Sequence, residues 1–325
     1  MKEEKMKAVV YTEYGAAEVL KVKRIIKPIP KPNEILIRMK ATAVNSGDIR
    51  LRKADPFGVR LFFGLFNPRI HVLGSVFSGV IESVGTDVTL FKVGDEVFGS
   101  TDMRFGSYAE YLSMPENGAM AFKPVNMTHS EAAAIPFGGV TALHFIKKAN
   151  IKKGQRILVN GASGAVGTAA VQLAKYYGGH VTAVCSPSAM DMVTTIGADE
   201  VIDYTREDFT KRGEQYDVIY DTVNKLSVSA SVRSLKKGGT LILGAAGMSE
   251  MLKGMFYSIG GTTVLKGLIK KNAEDVKFLQ DVIEEDKMQA VIDSTYKMEQ
   301  IVAAHKYVEK GSKKGNVVLE LQNEH

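Results

Sequence analysis

The sequence of 325 residues has a single cysteine, Cys185, and lacks any apolar run of about 18 residues, the length that a membrane-spanning helix needs. One cysteine excludes an internal disulfide framework and any metal site built from several thiolates. The opening residues MKEEKMKAVVYTEYG mix both charges without the apolar stretch of a signal peptide. We therefore expect a cytoplasmic protein without a membrane span.

The sequence also lacks a large excess of charge of either sign, because 42 basic and 36 acidic residues leave a formal net charge of only +6. Several lysines form scattered pairs, such as Lys147 with Lys148 and Lys270 with Lys271, and no single basic stripe carries interleaved aromatic residues. This distribution is typical of solvated faces. We expect no nucleic-acid partner, whereas the small positive excess is compatible with a phosphorylated cofactor.

The length and the hydrophobic pattern predict two domains, since a chain of this size is too long for one ordinary core. Over residues 1–125, short β-type runs alternate with Gly, Pro and Asn, which predicts a mostly β domain. Over residues 126–270, short apolar runs alternate with helical patterns, which predicts an α/β domain with a doubly wound parallel sheet. Residues 271–325 should return to the first domain, because a leftover helix and two strands could not bury a core alone.

The α/β region and the tail are predicted to contain the following elements. They are a helix at 129–149, a strand at 156–160, a helix at 165–177, a strand at 180–185, a helix at 188–196, strands at 200–202 and 217–220, a helix at 227–235, a strand at 240–243, a β-rich stretch at 262–269, a helix at 273–285 and the closing strand NVVLEL.

The segment RILVNGASGAVGTAAVQLAKYYGGHVTAVCS carries the strongest functional signal. An apolar strand runs through a glycine-rich turn into a helix and a second strand, which is the context that a dinucleotide-binding fingerprint requires. The turn needs a small residue first, then a glycine that lets backbone N–H groups approach the pyrophosphate, then a glycine that lets the helix pack closely. The candidate cofactor-binding residues are Ala162, Ser163, Gly164, Ala165, Val166 and Gly167. The alternative is a glycine-rich turn that binds no nucleotide.

The end of the second strand lacks an acidic residue. Val184, Cys185 and Ser186 stand where an NAD-binding protein normally has Asp or Glu to accept a hydrogen bond from the ribose 2′-hydroxyl. No carboxylate there repels a 2′-phosphate, and the Ser186 hydroxyl can bond to one, so NADPH is favoured over NADH. The alternative role for Ser186 is to cap the helix that follows, and both roles are compatible.

In these motifs, the sequence resembles the medium-chain dehydrogenase/reductase superfamily and, within it, the zinc-independent quinone oxidoreductases. The likeness covers nearly the whole chain and includes ATAVNSGDIRLR, GVIESVGTDVTLFKVGDEVFG, GSYAEYL, AAAIPFGGVTAL, IGADEVIDYT, YDVIYDTV, LKKGGTLILG and KKGNVV. The resemblance implies a GroES-like catalytic domain formed by both chain ends and a Rossmann domain for NADPH between them.

The resemblance also implies roles for individual residues. Asn45 and Asp48 match the active-site loop that faces the nicotinamide, and Thr141 matches a threonine beside the cofactor. Gly244 matches the glycine after the fifth strand, where the backbone passes near the nicotinamide. Lys314 precedes a Gly-Asn-Val segment that closes over the cofactor in many relatives.

Ser186 and Tyr204 match positions that contact the 2′-phosphate in relatives. Two departures from the family pattern stand out. Ala189 occupies the place of a lysine that many NADPH-binding relatives carry, which weakens the preference for NADPH. Ser75 and Val76 replace a charged Arg-Asp pair, so this part of the site should be more apolar.

Zinc is not expected. The zinc-dependent alcohol dehydrogenases of this superfamily bind the catalytic metal at positions that match Asn45, Ser75 and Pro136 or Phe137, and none of these residues is a good zinc ligand. The structural zinc lobe needs four cysteines. His71 lies near the segment that matches the zinc-binding positions of those enzymes. It stands alone there, which is more typical of a capping or packing residue.

The missing metal favours reduction over alcohol oxidation, because no Lewis acid stabilises a developing alkoxide. A quinone or an α,β-unsaturated carbonyl is already electrophilic, so the protein mainly has to position it and to hydrogen-bond the oxygen that gains charge. Asn45 is the predicted donor, and an ordinary Asx turn is the alternative for Asn45 to Asp48. A different carbonyl or alkenal reduction and a non-catalytic NADPH-binding interaction protein remain open.

Two further segments lead to expectations. Four phenylalanines between positions 57 and 66 could line a substrate pocket, belong to the core, or meet a partner or a membrane. The apolar stretch at 262–269 would leave an exposed edge strand in a monomer, and such edges are usually covered. We therefore expect a homodimer that pairs this strand across a two-fold axis, as the resemblance also implies.

Overall fold

The computed structural model describes residues 3–244, 261–267 and 269–321. The strands are β1 (Lys5–Val10), β2 (Lys21–Ile26), β3 (Glu34–Val44), β4 (Val76–Val84), β5 (Glu96–Ser100), β6 (Tyr111–Pro115), β7 (Ala119–Phe122), β8 (Arg156–Asn160), β9 (His180–Cys185), β10 (Glu200–Asp203), β11 (Tyr216–Asp221), β12 (Leu235–Leu243), β13 (Thr263–Leu265), β14 (Ile292–Lys297) and β15 (Asn316–Glu320). The α-helices are α1 (Ser46–Lys53), α2 (Val59–Phe63), α3 (His129–Ala149), α4 (Ala165–Tyr176), α5 (Met190–Thr195), α6 (Val228–Arg233), α7 (Ala273–Glu284) and α8 (Ile301–Glu309). Short 3₁₀ turns lie at Ala17–Val19, Asp102–Arg104, Pro187–Ala189, Phe209–Lys211 and Met298–Gln300.

Contacts divide the chain into two compact units. The first unit comprises Met1–Phe137, Lys271–Glu284 and Ala290–His325, and the second comprises Gly138–Lys270 and Glu285–Gln289. Strand β15 pairs antiparallel with β3, with Val317 opposite Val44. The end of the chain therefore completes the sheet of the first unit.

The first unit is built on a mostly antiparallel sheet in the order β14-β15-β3-β4-β5-β7, with β6 paired to β3. Ile35, Ile37 and Met39 alternate along β3 and are fully buried, as the period of two in a strand places them on one face. They pack in the same core as Phe77 and Ile81 of β4. Each such side chain contributes about 1.5–3 kcal/mol through burial, so β3 and β4 hold the segments that follow them in fixed positions.

The second unit contains a parallel sheet in the order β10-β9-β8-β11-β12-β13. Numbered within the unit, this is the order 3-2-1-4-5-6 of dinucleotide-binding folds, in which ligands bind where the strand order reverses. The reversal lies between β8 and β11. The fold class inferred from the sequence, α/β with a doubly wound parallel sheet beside a mostly β domain, is confirmed.

The predicted elements differ from the structure mainly at their ends. The helix expected at 188–196 begins as a 3₁₀ turn at Pro187–Ala189 before α5, and the strand expected at 240–243 extends back to Leu235, which pairs with Tyr216. Within the β-rich stretch, β13 covers only Thr263–Leu265, and Leu268 lies outside the described residues. None of the helices in the described ranges has the length and hydropathy that crossing a bilayer requires.

Candidate active site

The glycine turn follows β8, at the point where the strand order of the second unit reverses. Gly161 has a φ of +75°, a conformation that favours glycine. A Cβ on Gly167 would stand 2.1 Å from the Gly161 carbonyl oxygen. The start of α4 therefore packs directly on the turn, and a side chain at Gly167 has no room.

Gly164 lies on the open side of the same turn. A Cβ there would meet only a backbone oxygen at 3.7 Å, and no side chain caps the N-terminus of α4. The first N–H groups of a helix have no intrahelical partner, so they suit a phosphate group. Ser163 and Val166 are partly exposed beside Gly164, whereas Ala162 and Ala165 are buried beneath them.

Two buried polar residues that the sequence analysis missed hold this edge of the sheet. Asn160 Nδ2 at the end of β8 donates to Asp221 Oδ1 at the end of β11, at 3.0 Å. The same Asp221 oxygen accepts the N–H groups of Val223 and Asn224 at 3.1 Å. Gly244 follows β12, and its N–H donates to the Asp221 carbonyl at 2.9 Å. The sequence signal that could have identified Asn160 and Asp221 is a polar residue at the end of each of two apolar strands.

Ser186 and Tyr204 follow neighbouring strands. Cys185 of β9 stands opposite Asp203 of β10, and the Tyr204 N–H donates to the Cys185 carbonyl at 3.3 Å. Tyr204 is 62% exposed. Ser186 stands at the N-cap of a 3₁₀ turn without making a side-chain cap bond, so the capping alternative is not realised in the structure. Both hydroxyl-bearing side chains lie at the carboxyl end of the sheet.

Two further candidates for cofactor binding, Thr141 and Lys314, lie in different units. Thr141 is partly exposed in the part of α3 that belongs to the second unit, whereas Lys314 is half-buried just before β15 in the first unit. The neighbouring Lys313 donates to the Gly315 carbonyl, and burial lowers the pKa of Lys313 to about 8. Sequence reasoning did not single out Lys313, because two adjacent lysines look alike in the sequence.

In the first unit, Asp48 ties the loop before α1 to the segment before β4. Its Oδ2 accepts the Asn45 N–H at 2.9 Å, and its Oδ1 accepts the Gly74 N–H at 3.0 Å. Asp48 is fully buried. Burial raises its pKa to about 6, although the two N–H bonds act in the opposite direction. Tyr108 adjoins this carboxyl, and burial and the Asp48 charge raise the tyrosine pKa well above its usual value.

Asn45 itself is 2% exposed, and its amide nitrogen Nδ2 donates to the Ala43 carbonyl at 3.3 Å. An asparagine amide carries two hydrogens. One of them is directed to the Ala43 carbonyl, and the second can donate to a ligand. The residue stands at the N-cap of α1 in extended conformation. The structure thus brings Asn45 and Asp48 together in the hydrogen-bonded first turn of α1.

Lys271 is a charged residue near this loop that the sequence analysis assigned to a solvated pair. Its Nζ donates to Ser100 Oγ at 2.9 Å, and Ser100 Oγ donates to the Ser75 carbonyl at 2.7 Å. The ammonium lies 5.6 Å from the centre of the Phe137 ring. Burial lowers the Lys271 pKa, partly offset by the charges of Asp102 and Asp48. The solvated-face interpretation is wrong for Lys271, because its burial depends on residues far away in the sequence.

The residues of the first unit do not fit a catalytic zinc. At the three positions considered above, Asn45, Ser75 and Phe137 offer an amide, a hydroxyl and a phenyl ring, and the Asn45 nitrogen already donates to a carbonyl. Within the part of the chain that the structure describes, no three His, Cys, Asp or Glu side chains are grouped to hold a metal. His71 Nδ1 instead lies 3.2 Å from the Tyr11 carbonyl.

The phenylalanine-rich segment forms α2 and its flanks. Phe57, Phe62 and Phe66 are 67%, 78% and 81% exposed. Phe63 is the exception, because it packs edge-on against Phe105 with ring centres 6.1 Å apart. The core alternative is therefore wrong for the three exposed rings.

Comparison with known proteins gives the family. The model of the alcohol dehydrogenase GroES-like domain matches residues 31–124, and the model of zinc-binding dehydrogenases matches residues 196–319. The chain is 33% identical to a 2-methylene-furan-3-one reductase of Solanum lycopersicum over 97% of this chain and 79% of that protein. The chain belongs to the medium-chain dehydrogenase/reductase superfamily, in its quinone oxidoreductase-like branch.

Other members of the superfamily match over nearly their whole length. The human quinone oxidoreductase is 30% identical over 94% of this chain and 95% of its own. The solved structure of the quinone oxidoreductase from Coxiella burnetii is 27% identical, covers 98% of this chain and 100% of its own, and superposes with a TM-score of 0.89. These matches confirm the GroES-like domain and the Rossmann-type sheet of a medium-chain dehydrogenase/reductase.

Proposed function

We propose that this protein is an NADPH-dependent, zinc-free oxidoreductase that reduces quinones or α,β-unsaturated carbonyl compounds. The names of its relatives support the reaction class, since they include a 2-methylene-furan-3-one reductase, an NADPH-dependent alkenal/one oxidoreductase and a quinone oxidoreductase. The single observation that carries the proposal is the open glycine turn at the reversal point of the parallel sheet. That turn provides a cradle for a dinucleotide.

The main proposed cofactor-binding residues lie at two places in the second unit. The turn from Ala162 to Gly167 would hold the pyrophosphate through backbone N–H groups, and Ser186 with Tyr204 would hold the 2′-phosphate. Bound NADPH would supply a hydride. We propose the first unit as the catalytic domain, with Asn45 and Asp48 in its active-site loop, and Thr141, Gly244 and Lys314 as further cofactor contacts.

Asn45 and Asp48 have different proposed tasks in the reaction. Asp48 positions the loop through its two N–H bonds. The second amide hydrogen of Asn45 would donate to the acceptor oxygen as charge develops there. A conjugated acceptor spreads this charge over its own atoms, whereas an unactivated alcohol would need a Lewis acid that this donor set does not hold.

The protein should oxidise NADPH when given an electron-poor quinone or a conjugated enone, and should be poor with ethanol and NADP⁺. The reason is that a missing Lewis acid costs several kcal/mol of transition-state stabilisation for the alcohol only. The decrease in NADPH absorbance measures the rate, and the saturated ketone that matches the enone is the control acceptor. Brisk ethanol oxidation by protein treated with a chelator would refute the proposal.

Ser186→Asp should reverse the preference for NADPH over NADH. The new carboxylate would repel the 2′-phosphate and could accept a hydrogen bond from a free 2′-hydroxyl, changing the relative affinity by about 1–3 kcal/mol. Fluorescence titration with both cofactors gives the two affinities. Thr194→Asp, which adds the same charge on exposed α5, is the control and should leave the preference unchanged. An unaltered preference in Ser186→Asp would remove Ser186 from the cofactor site.

We also propose a homodimer. Strand β13 is the last strand of the sheet in the second unit and pairs only with β12 within the described residues. Its outer edge offers hydrogen-bonding groups that the same strand of a second copy can match. The cytoplasmic location stays a prediction, since relatives include proteins named as mitochondrial and as a chloroplast envelope homologue.

A further inference from the structure

A group of exposed apolar side chains surrounds α2 in the first unit. Within the described residues, five of the fifteen large hydrophobic side chains that are exposed lie between positions 57 and 66, namely Phe57, Leu61, Phe62, Leu65 and Phe66. We call these five side chains the apolar patch. Single exposed apolar residues are normal on a protein surface, whereas a group of them marks an interaction site or a membrane contact.

The apolar patch stands on an anchored base. Val59 and Phe63 of α2 pack against the core of the first unit, because residues four apart share one face of a helix. Directly after the helix, Tyr14 Oη donates to the Gly64 carbonyl at 2.8 Å. Directly before it, a Cβ on Gly58 would meet no atom within 4 Å. The core therefore holds one side of α2, and the other side is open to solvent.

The charge around the apolar patch is positive. Asp55 is the only carboxylate between positions 49 and 70. Arg52 of α1 is buried and pairs with Glu309. Four other cations in this stretch have no ion-pair partner within the described part of the chain, and these are Arg50, Lys53, Arg60 and Arg69. The stretch thus carries unpaired positive charge that a negatively charged partner can match.

Arg60 and Arg69 bring this charge to the edge of the apolar patch. The Arg60 guanidinium lies 5.5 Å from the centre of the Phe57 ring and 4.8 Å from that of the Tyr14 ring. Arg69 follows the patch in the sequence, and its N–H donates to the Phe63 carbonyl at 2.7 Å. Exposed phenyl and leucyl side chains beside basic residues are typical of protein surfaces that enter the interface of an anionic membrane.

We propose that the apolar patch docks on an anionic lipid surface, an interaction beyond the proposed function. The phenyl and leucyl side chains enter the boundary between headgroups and acyl chains, and the four unpaired cations bind anionic headgroups. A protein partner would need a carboxylate placed opposite each cation, whereas a lipid surface presents many anionic groups above an apolar layer. Docking of this kind requires no helix that crosses the bilayer, in agreement with the described helices.

A tryptophan placed in the apolar patch tests its insertion into lipid. The sequence contains no tryptophan, so Phe62→Trp gives the full-length protein a single indole. With vesicles of phosphatidylcholine and phosphatidylserine, its emission should shift to shorter wavelength, and brominated acyl chains should quench it. Ile29→Trp, at an exposed position outside the patch, is the matched control and should show neither change.

Co-sedimentation with the same vesicles measures the affinity. The double variant F62S/F66S should bind roughly tenfold more weakly or worse, because two apolar side chains no longer leave water. Lys53→Gln should weaken binding about fivefold, the contribution of one cation near an anionic surface. Ile29→Ser and Lys237→Gln, at exposed positions outside the patch and its cations, are the controls and should bind as the wild type does. Thermal unfolding of each variant checks that the fold is intact.

Equal binding to vesicles with and without phosphatidylserine would overturn the anionic lipid surface as the partner, as would wild-type affinity in F62S/F66S. Two further results would overturn it in favour of another occupant. If the wild type stays in the supernatant and F62S/F66S changes the oligomeric state in sedimentation, the patch is a contact between copies of this chain. If F62S/F66S keeps its vesicle affinity and raises KM for a quinone, the patch lines the substrate pocket.

Discussion

Gly167→Ala is expected to destabilise the second unit by about 3 kcal/mol, the upper part of the range for overpacking, and to abolish NADPH binding. The new methyl would stand 2.1 Å from the Gly161 carbonyl oxygen and 2.7 Å from the Ala162 backbone. Both contacts involve backbone, which cannot move aside as a flexible side chain does. The start of α4 must then separate from the turn that it supports.

Gly164→Ala is the matched control in the same turn. Its methyl would meet only the Gly161 oxygen, at 3.7 Å, so the protein should unfold at the wild-type urea concentration. NADPH binding should nevertheless weaken, because the methyl occupies the side from which the pyrophosphate approaches the N–H groups. Urea unfolding and cofactor fluorescence separate the two effects. If Gly167→Ala unfolds with the wild-type midpoint, the close approach of helix and turn is wrong.

The sequence predicts this part of the fold well because its signals are local. The strand β8, the turn and the helix α4 follow one another within a short stretch, and each leaves its own pattern of apolar residues and glycine. The capping role considered for Ser186 is the exception, because its side chain makes no cap bond in the structure. What the sequence could not provide is the bond between Asn160 and Asp221, which joins residues 61 positions apart.

In the first unit, several important features depend on contacts between residues that are far apart in the sequence. Lys271 belongs to a lysine pair that looks like any solvated pair, but its ammonium donates a hydrogen bond to Ser100, which is 171 positions away. The exposure of Phe57 and Phe62 is likewise set by how α2 meets the rest of the unit, since an aromatic segment alone is compatible with core, pocket or surface. Asn45 and Asp48 became candidates through the family resemblance, because their residue types alone also suit a simple turn.

Asp48→Ala is expected to lower the free energy of unfolding of the first unit by about 4 kcal/mol. The variant leaves the N–H groups of Asn45 and Gly74 without their carboxylate partner in a buried place, and each lost bond to a charged group costs about 1.5–3 kcal/mol. Urea unfolding at neutral pH measures the loss. Asp87→Asn, at an exposed carboxylate of the same unit, is the control and should change the free energy by less than about 0.5 kcal/mol.

The pH dependence of Asp48→Asn is a sharper measurement, because the amide does not titrate. Burial raises the Asp48 pKa to about 6 in the folded protein, against about 3.9 in an unfolded chain. The folded state therefore binds this proton more tightly, so the stabilisation is complete below pH 3.9, the unfolded value, and is lost as the pH rises through 6. A shift of about two pKa units corresponds to about 3 kcal/mol. The stability of the wild type relative to Asp48→Asn should accordingly fall by about 2.4 kcal/mol between pH 4 and pH 7.5, less than the full 3 kcal/mol because pH 4 lies close to the unfolded pKa. A difference that stays constant over this interval would show that Asp48 does not carry the raised pKa.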